Sequence, residues 1–445
     1  MQSKNIVILG AGESGTGAAV LAKKLGMRVF VSDNGTIAPK FKAELKQQNI
    51  EFEENGHTEN CFDNPHLIIK SPGIPETANC VQKAYTRKIP VADEIEFASW
   101  YTNAKIIAIT GSNGKTTTAS LLHHILSNSG CNASLAGNIG RSFARAVASE
   151  KPDYFVLELS SFQLDYCFSF KADIAILLNI TPDHLDRYNN DFQEYKNSKF
   201  GIIRNMKPTD HLIYNADDLV IVQELKNREP TLQKHPISLN TVVDNGAYLS
   251  KQQIQFTGKN PFIMTIEELA LQGKHNVYNS MAAGVASKLI EIRKESIKNC
   301  LSDFQNIEHR LEHVAGIHGI DFINDSKATN VNSTWYALES MNKPVIWLAG
   351  GLDKGNDYQK LKEIAAQKVK MIICIGKDNT PITEAFGGLI DEIYETSSMK
   401  DAVHWAYKTA EDGDAVLLSP ACASFDFYKN YEERGQKFKD AVKKL

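Results

Sequence analysis

Short apolar runs alternate along the chain with stretches in which apolar residues recur at helical spacing. Most of these runs end in a polar or glycine-bearing loop, as buried strands of parallel sheets do, so the pattern predicts an α/β fold. Residues 215–262 instead show polar turns between short alternating runs, which predicts a small β insertion. The predicted strands lie at residues 6–9, 28–32, 66–70, 106–109, 154–159, 174–179, 321–324, 345–349, 371–376 and 415–420.

The loop after the fourth of these strands opens a helix and has the features of a phosphate-binding loop. Gly111 and Gly114 allow backbone N–H groups to converge on phosphate oxygens, and the helix N-terminus adds a positive dipole. Lys115 is placed to reach the terminal phosphates, and Thr116 to hold Mg²⁺. The general pattern G-x-x-x-x-G-K-[ST] would put its first glycine where Ile109 stands, so the loop is a shortened variant. An ordinary strand-to-helix turn is the alternative.

A second glycine-rich loop, at residues 10–15, lies between the first predicted strand and a helix. Asp33 ends the next strand, at the distance expected for an acidic residue that binds a ribose. The spacing predicts a nucleotide-type site without identifying the nucleotide, and a purely structural turn stays open. The proline turn at residues 71–75 lies at a sheet edge where ligands of open α/β folds bind, although a simple turn explains it equally well.

Two polar residues at strand ends add to the predicted phosphate site. Glu158 lies in an apolar strand, where a carboxylate is costly unless it has a partner, so it is interpreted as a metal- or phosphate-site group. His184 follows the strand at residues 174–179. Because the carboxyl ends of parallel strands converge on one crevice, His184 is expected near Lys115 and Glu158.

Length and composition limit the other possibilities. A chain of 445 residues suggests about three domains, which are predicted at residues 1–92, 93–298 and 299–445. The net charge of −4 does not favour nucleic-acid binding, and no apolar run approaches the ~20 residues that a membrane-spanning helix needs. Seven scattered cysteines without a C-x-x-C pair favour a reducing cytoplasm over a disulfide or zinc scaffold.

Taken together, the ordered motifs resemble those of the Mur ligase family, the ATP-dependent amide ligases of peptidoglycan precursor synthesis. The resemblance covers all three domains, and the shortened phosphate loop is what this family has. It implies a Rossmann-like N-terminal domain, a central P-loop ATPase-like domain and a Rossmann-like C-terminal domain. The segments that carry it are residues 110–117, 137–140, 158–163, 179–187, 309–312, 324–330 and 419–424.

The resemblance is strongest to family members that add D-glutamate to UDP-N-acetylmuramoyl-L-alanine. In these enzymes ATP phosphorylates the alanyl carboxylate, and the amine of the amino acid attacks the resulting acyl phosphate. Two Mg²⁺ ions reduce the electrostatic repulsion between the negatively charged phosphoryl group and the carboxylate. We expect a monomer that acts on small molecules, without nucleic acid or membrane insertion.

The resemblance also implies a role for each site residue. Lys199 would be carbamylated by CO₂, which turns a cation into a metal-binding anion; from its sequence context alone it would be a solvated surface lysine. Catalytic roles fall to Lys115, Glu158, His184 and Lys199, with Thr116, Glu158, His184 and Lys199 as metal ligands. ATP would be bound by Gly111, Ser112, Asn113, Gly114, Lys115, Thr116, Thr117, Asn276, Asn279, Arg310, Asp325 and Lys327. The UDP-substrate would contact Ser14, Asp33, Asn34, Gly73 and Asn138, and D-glutamate would contact Thr329, Lys354, Ser424 and Tyr431.

Two alternatives stay open. One is a ligase of the same architecture that adds another amino acid or acts on a recycled peptide or on folate; the short N-terminal domain and the segment at residues 325–330 argue against it. The other is an NAD-dependent oxidoreductase built on the loop at residues 10–15, with the second loop binding only a regulatory nucleotide. It leaves Glu158, His184 and Lys199 unexplained.

Overall fold

A computed structural model describes residues 4–304 and 308–445 of the chain. Residues 1–3 of the first predicted domain and 305–307 of the third lie outside the described residues. Three sheets organise the described part, each with helices in its crossover connections. The predicted α/β class is therefore confirmed.

The N-terminal sheet is fully parallel, with strand order β3-β2-β1-β4-β5. Its order reverses between β1 and β4, and the loops that follow these two strands meet there: the Ser71 hydroxyl donates to the Gly10 carbonyl at 3.3 Å. Ligands of open α/β sheets bind at such a switch point. The strands are β1 Asn5–Leu9, β2 Arg28–Ser32, β3 Glu51–Glu53, β4 Leu67–Lys70 and β5 Val91–Asp93. The helices are α1 Glu13–Lys24, α2 Pro39–Gln47, α3 Asn79–Thr86 and α4 Glu94–Ser99.

The central sheet has the order β14-β13-β12-β11-β10-β9-β6-β8-β7, and only the pairs that involve β13 are antiparallel. The predicted β insertion is thus continuous with this sheet, and the stretch 215–262 also contains helix α9 and strand β11. The strands are β6 Lys105–Thr110, β7 Ala133–Gly137, β8 Tyr154–Glu158, β9 Ile174–Leu177, β10 His211–Asn215, β11 Gln233–Ser238, β12 Ala247–Ser250, β13 Gln253–Phe256 and β14 Phe262–Thr265. The helices are α5 Lys115–Asn128, α6 Phe143–Ser149, α7 Ser161–Leu164, α8 Phe192–Phe200, α9 Leu219–Arg228, α10 Lys274–Leu289 and α11 Lys294–Asp303.

The C-terminal sheet has the order β15-β16-β20-β17-β18-β19. Four of its strands were predicted from the sequence, whereas β19 and the antiparallel edge strand β15 were not. Apolar cores lie on both faces of the sheet, as a doubly wound arrangement requires. The strands are β15 Glu312–Ile317, β16 Ile320–Asn324, β17 Val345–Ala349, β18 Val369–Ile375, β19 Glu392–Thr396 and β20 Ala415–Leu418. The helices are α12 Val331–Glu339, α13 Lys362–Lys368, α14 Thr380–Phe386, α15 Met399–Thr409 and α16 Tyr431–Val442.

The chain divides into two compact units. The first comprises Met1–Leu269 and Tyr278–Asp303, and the second comprises Ala270–Val277 and Phe304–Leu445. The first two sheets thus belong to one unit, while the predicted domain boundaries at residues 92 and 298 stay predictions. Among the described residues, no helix combines the length and apolar character needed to cross a bilayer.

Two glutamates fix the N-terminal sheet to the central one within the first unit. Arg145 of α6 forms ion pairs with Glu13, at 2.7 Å, and with Glu44. Glu13 also accepts a hydrogen bond from the Ser142 N–H at 3.1 Å. The close approach of α1 and α6 requires Gly17, because a Cβ there would lie 1.9 Å from the Ser142 hydroxyl oxygen. The charge of Glu13 is therefore neutralised by α6.

Candidate active site

The phosphate loop connects β6 to α5 and is held in shape by Asn179, which lies two positions after the end of β9. Asn179 accepts a hydrogen bond from the Asn113 N–H at 2.8 Å and donates its side-chain amide to the Asn113 carbonyl at 3.0 Å. Its own carbonyl accepts from the Ser112 N–H at 2.9 Å. No role was predicted for Asn179 from the sequence, although a polar residue at the end of an apolar run is a usable signal.

Two glycines give the loop its backbone path. Gly111 has φ +156° and Gly114 has φ +84°. Residues with a Cβ atom rarely adopt these backbone conformations, whereas glycine adopts them readily. A Cβ on Gly114 would also lie 2.4 Å from the Asn279 side-chain oxygen. That oxygen accepts from the Thr118 hydroxyl at 3.1 Å. Asn279 of α10 therefore lies against the phosphate loop and its helix.

Asn276 belongs to the second compact unit, although it lies on the same helix as Asn279. Its side-chain amide donates to the Gln272 carbonyl at 2.8 Å. The predicted adenine contact of Asn276 stays a prediction.

Two lysines meet at one carbonyl of the phosphate loop. Lys115 donates to the carbonyls of Gly111 and Ser112 at 2.7 and 2.9 Å, and Lys199 donates to the Gly111 carbonyl at 2.8 Å. Lys199 is only 2% exposed, so its placement differs from the solvated surface position that its sequence context alone would suggest. Burial, and then the charge of Lys115, lower the pKa of Lys199 well below its usual range.

Glu158 ends β8 and is buried next to this pair. In the sheet it lies opposite Ile109 and Gly137. One carboxylate oxygen accepts from the Asn138 side-chain amide at 2.8 Å, and the Glu158 carbonyl accepts from the Asn138 N–H at the same distance. The other oxygen, Oε2, is buried and has no hydrogen-bond partner among the described residues. A buried carboxylate oxygen without a donor is costly unless a cation binds it.

The segment after β9 brings His184 and acidic groups to the same end of the sheet. His184 has a left-handed backbone, with φ +53°, and precedes the 3₁₀ helix Leu185–Tyr188. Its ring lies 5.2 Å from that of Phe162, edge to face. Asp183 and Glu158 both act on the charge of Lys199 and favour its protonated form. The structure thus gathers these side chains at the carboxyl ends of β6, β8 and β9.

Of the residues predicted for the UDP-substrate, Ser14 and Gly73 lie after β1 and β4, at the switch point of the N-terminal sheet, while Asp33 and Asn34 follow the neighbouring strand β2. Asp33 accepts from the Ala11 N–H at 2.6 Å and from the Gly35 N–H at 2.8 Å, so its carboxylate fixes the glycine-rich loop. Ser14 is half-buried at the start of α1, while Asn34 and Gly73 are exposed. Asn138 follows β7 beside Glu158, on the central sheet.

The second compact unit contains its own cluster of predicted ATP-site residues. Asp325 follows β16, is 2% exposed, and accepts from the Ser419 hydroxyl at 3.0 Å and the Leu311 N–H at 3.2 Å. Burial raises the pKa of Asp325 to about 6, and the charge of Arg310 opposes that rise. The Lys327 ammonium lies 5.3 Å from the ring centre of Tyr431, at the start of α16.

The predicted D-glutamate residues lie on loops of the same unit that are tied together by Arg434. This arginine is 3% exposed and donates to the carbonyls of Ser326, Gly350 and Cys422 and to the Ser326 hydroxyl. No role was predicted for Arg434 from the sequence, although it occupies an apolar-face position of α16, four residues before the buried Phe438. The loops that it joins carry Thr329, Lys354 and Ser424; the first is half-buried, the second exposed and the third buried.

Comparison with known proteins covers each part of this chain. The MurD N-terminal domain family matches residues 5–79, the Mur ligase middle domain family residues 109–287, and the Mur ligase, glutamate ligase domain family residues 309–422. The UDP-N-acetylmuramoylalanine–D-glutamate ligase of Christiangramia forsetii is 52% identical over 443 residues, which are 99% of this chain and 100% of that protein. The chain belongs to the Mur ligase family. The predicted resemblance is confirmed.

Further Mur ligase relatives support the same assignment. The enzymes of that name from Bacteroides fragilis and Porphyromonas gingivalis are 50% and 49% identical, over 99% of this chain and 100% and 99% of those proteins. Among solved structures, a pseudomurein peptide ligase type C from Methanothermus fervidus has a TM-score of 0.64 at 19% identity, over 99% of this chain and 100% of that one. The UDP-N-acetylmuramate-alanine ligase of Thermotoga maritima has a TM-score of 0.64 at 17% identity, over 99% of both chains. The predicted three-domain α/β fold of a Mur ligase is confirmed.

Mur ligases use ATP and Mg²⁺, and the residues at the carboxyl ends of the central strands fit both. The unpartnered oxygen of Glu158 and the hydroxyl of Thr116 are oxygen donors, which Mg²⁺ prefers. The Thr117 hydroxyl is also buried without a hydrogen-bond partner in the described part of the chain. The oxidoreductase alternative is wrong, since its glycine loop lies inside the matched MurD N-terminal domain.

Proposed function

We propose that this protein is an ADP-forming ligase that joins D-glutamate to UDP-N-acetylmuramoyl-L-alanine during peptidoglycan precursor synthesis. It acts as a monomer in the cytoplasm, on small molecules, without nucleic acid or membrane insertion. The observation that carries the chemistry is the meeting of Lys115 and Lys199 at the phosphate loop beside the buried Glu158. The choice of substrates is supported by end-to-end similarity to relatives that bear this activity in their name.

ATP is bound at the phosphate loop. The N–H groups of the loop and the N-terminus of α5 hold the phosphates, together with Lys115. Lys115 now donates to carbonyls of its own loop, so it exchanges these acceptors for phosphate oxygens when ATP binds. Ser112, Asn113, Gly114, Thr116 and Thr117 line the same turn. By the resemblance to other Mur ligases, Asn276 and Asn279 contact adenine, and Arg310, Asp325 and Lys327 also bind ATP.

Two groups of residues hold the metal ions. Thr116 and Glu158 supply oxygen ligands for one Mg²⁺, with Asn138 orienting the Glu158 carboxylate. His184 and a carbamylated Lys199 serve the second. When bound, the ions lower the repulsion between the phosphoryl group and the substrate carboxylate.

Carbamylation of Lys199 is supported by its burial. Only a neutral amine attacks CO₂; the nitrogen forms a bond to carbon, one proton leaves the nitrogen, and a carbamate anion results. The pKa of Lys199 lies well below the usual value. The fraction of its side chain that is neutral near pH 7 is therefore far larger than the one part in about a thousand expected of an exposed lysine. The carbamate replaces a buried cation by an anion that a metal ion can neutralise.

The order of bond changes follows from the two substrates. An oxygen of the alanyl carboxylate attacks the γ-phosphorus of ATP, and ADP leaves with the electron pair. The neutral amine of D-glutamate then attacks the acyl carbon, loses a proton, and phosphate leaves as the amide forms. Lys354, Thr329 and Ser424 bind the carboxylates of D-glutamate, where a cation matches a dicarboxylic substrate, and Tyr431 packs nearby. The UDP moiety contacts Ser14, Asp33, Asn34, Gly73 and Asn138.

A phosphate-release assay tests the proposal. The purified protein is incubated with ATP, Mg²⁺ and UDP-N-acetylmuramoyl-L-alanine, together with a panel of amino acids. We expect phosphate release only with D-glutamate, and a product whose mass corresponds to the new amide. Release that depends on L-lysine or diaminopimelate, or no release with D-glutamate, would contradict the proposed substrate.

A further inference from the structure

Two cations hold the loop at residues 71–74, which follows β4 in the N-terminal sheet. Lys70 donates to the first and last carbonyls of this loop, at 3.3 and 2.8 Å. Arg187 donates to the two middle ones, those of Pro72 and Gly73, at 3.4 and 3.3 Å. All four carbonyls of the loop therefore face side chains with a positive charge.

Arg187 reaches this loop from the central sheet, where it lies on the 3₁₀ helix that follows His184. Its guanidinium carbon lies 4.6 Å from the ring centre of Phe162, and the Phe162 ring contacts that of His184. One side chain thus connects the turn of the N-terminal sheet to the segment that carries His184.

The orientation of the carbonyls fixes the direction of the amide groups. The Pro72 carbonyl and the Gly73 N–H belong to one planar trans peptide, so they point in opposite directions. Because the carbonyl faces Arg187, the N–H faces away from it. No described residue accepts a hydrogen bond from this N–H, and a Cβ on Gly73 would meet nothing within 4 Å. Gly73 is also exposed, so its N–H is accessible to a ligand at the switch point of the sheet.

We propose that Arg187 is a positioning residue for the UDP-linked substrate, which rests on the function proposed above. It holds the loop at residues 71–74 so that the Gly73 N–H donates to an acceptor oxygen of the UDP-sugar. It also fixes that loop relative to the His184 segment, so that the sugar nucleotide is bound in a fixed position relative to the phosphate loop. Arginine suits this role because its planar fork donates to two neighbouring carbonyls while its face stacks on Phe162.

Steady-state kinetics of three variants test the inference. Arg187→Ala removes both donors and the stacking, and Arg187→Lys keeps the charge without the fork. Arg28→Ala is the control, since Arg28 is exposed at the start of β2, at the opposite end of the same sheet. For Arg187→Ala we expect KM for UDP-N-acetylmuramoyl-L-alanine to rise about tenfold. KM for ATP, KM for D-glutamate and kcat should stay within about twofold, with Arg187→Lys intermediate.

Calorimetric titration with UDP alone separates this inference from the proposed function. We expect Arg187→Ala to weaken UDP binding while the wild type and Arg28→Ala bind equally well. A wild-type protein that binds UDP but releases no phosphate with D-glutamate would contradict the proposed function and leave the role of Arg187 standing. Unchanged UDP-substrate binding in Arg187→Ala, or an equal change in all three KM values, would overturn that role. Thermal unfolding of each variant identifies any general loss of structure.

Discussion

Lys115 and Lys199 donate to the same acceptor, the Gly111 carbonyl, at 2.7 and 2.8 Å. Two ammonium groups that share one carbonyl repel each other, and only Lys115 has a second acceptor in the loop, the Ser112 carbonyl. Lys199 is the more deeply buried of the two, so the repulsion and the loss of hydration act mainly on its charge. The arrangement favours chemistry that removes the positive charge of Lys199.

Lys199→Ala tests the proposed carbamate. We expect kcat to fall about a hundredfold, because the second metal site loses a ligand, and short carboxylates such as acetate to restore part of the activity. Lys196→Ala is the matched control, since Lys196 lies on the same helix but pairs with Glu224 at 3.1 Å. Carbon-13 NMR with labelled bicarbonate should show a carbamate signal in the wild type and in Lys196→Ala, but not in Lys199→Ala. A Lys199→Ala enzyme that no carboxylate rescues, together with a wild type that lacks the signal, would rule out the carbamate.

Gly114→Ala tests the role of the phosphate loop. The new methyl group would require a left-handed alanine and would displace the Asn279 side chain, so we expect kcat/KM for ATP to fall about a hundredfold. Gly130→Ala is the control, because Gly130 has a similar φ of +82° but open space around its Cβ position. That variant should lose only about 1–2 kcal/mol of stability and keep its activity. Equal effects in the two variants would show that backbone strain alone explains the loss.

Asn138→Ala tests whether Asn138 orients Glu158 or contacts substrate. Without the side-chain amide the carboxylate loses its only described donor on Oε1, so we expect the Mg²⁺ concentration for half-maximal activity to rise about tenfold. Asn132→Ala is the control, since Asn132 is exposed and its side-chain amide donates to the Lys151 carbonyl, away from Glu158. If the Mg²⁺ requirement stays constant while KM for the UDP-substrate rises, then Asn138 acts through substrate contact instead.

Asp325 gives the second compact unit a pH-dependent stability. Its pKa of about 6 lies above the unfolded value of 3.8, so the folded protein binds more protons between these two values. The free energy of unfolding should therefore fall by about 3 kcal/mol as the pH rises through this window, and this part of the slope should be missing in Asp325→Asn. Urea unfolding monitored by tryptophan fluorescence measures this free energy of unfolding, because Trp335, Trp347 and Trp405 all lie in this unit. The exposed Asp391→Asn should keep the wild-type slope, and parallel curves for all three proteins would contradict the prediction.

Strands followed by conspicuous loops could be predicted from the sequence. The run before Gly111 and the run that ends at Glu158 are strongly apolar, and their polar ends reveal the carboxyl edge of the sheet. β19 was missed because it is mostly exposed and contains three residues that are not apolar, which gives no clear strand signal. β15 was missed for a related reason, since most of its residues are only partly buried at the sheet edge.

The contacts between loops could not be predicted in the same way. Lysine and arginine are residue types usually found at the surface. Only the folded structure shows that Lys199 and Arg434 are each buried by segments distant in sequence. Arg187 likewise reaches a loop 114 residues away, which no local pattern encodes. Residue type predicted the chemistry at strand ends, while the burial of charges depends on tertiary packing.

The Arg145 bridge to Glu13 and Glu44 also bears on inhibitor design. It holds the N-terminal and central sheets in one compact unit, so the proposed uridine and phosphate sites are prearranged with respect to each other. A bisubstrate compound that links a uridine mimic to a phosphate mimic would therefore lose little binding free energy to ordering of the protein. Selectivity for this enzyme over ordinary nucleotide-binding proteins would then come from the length of the linker.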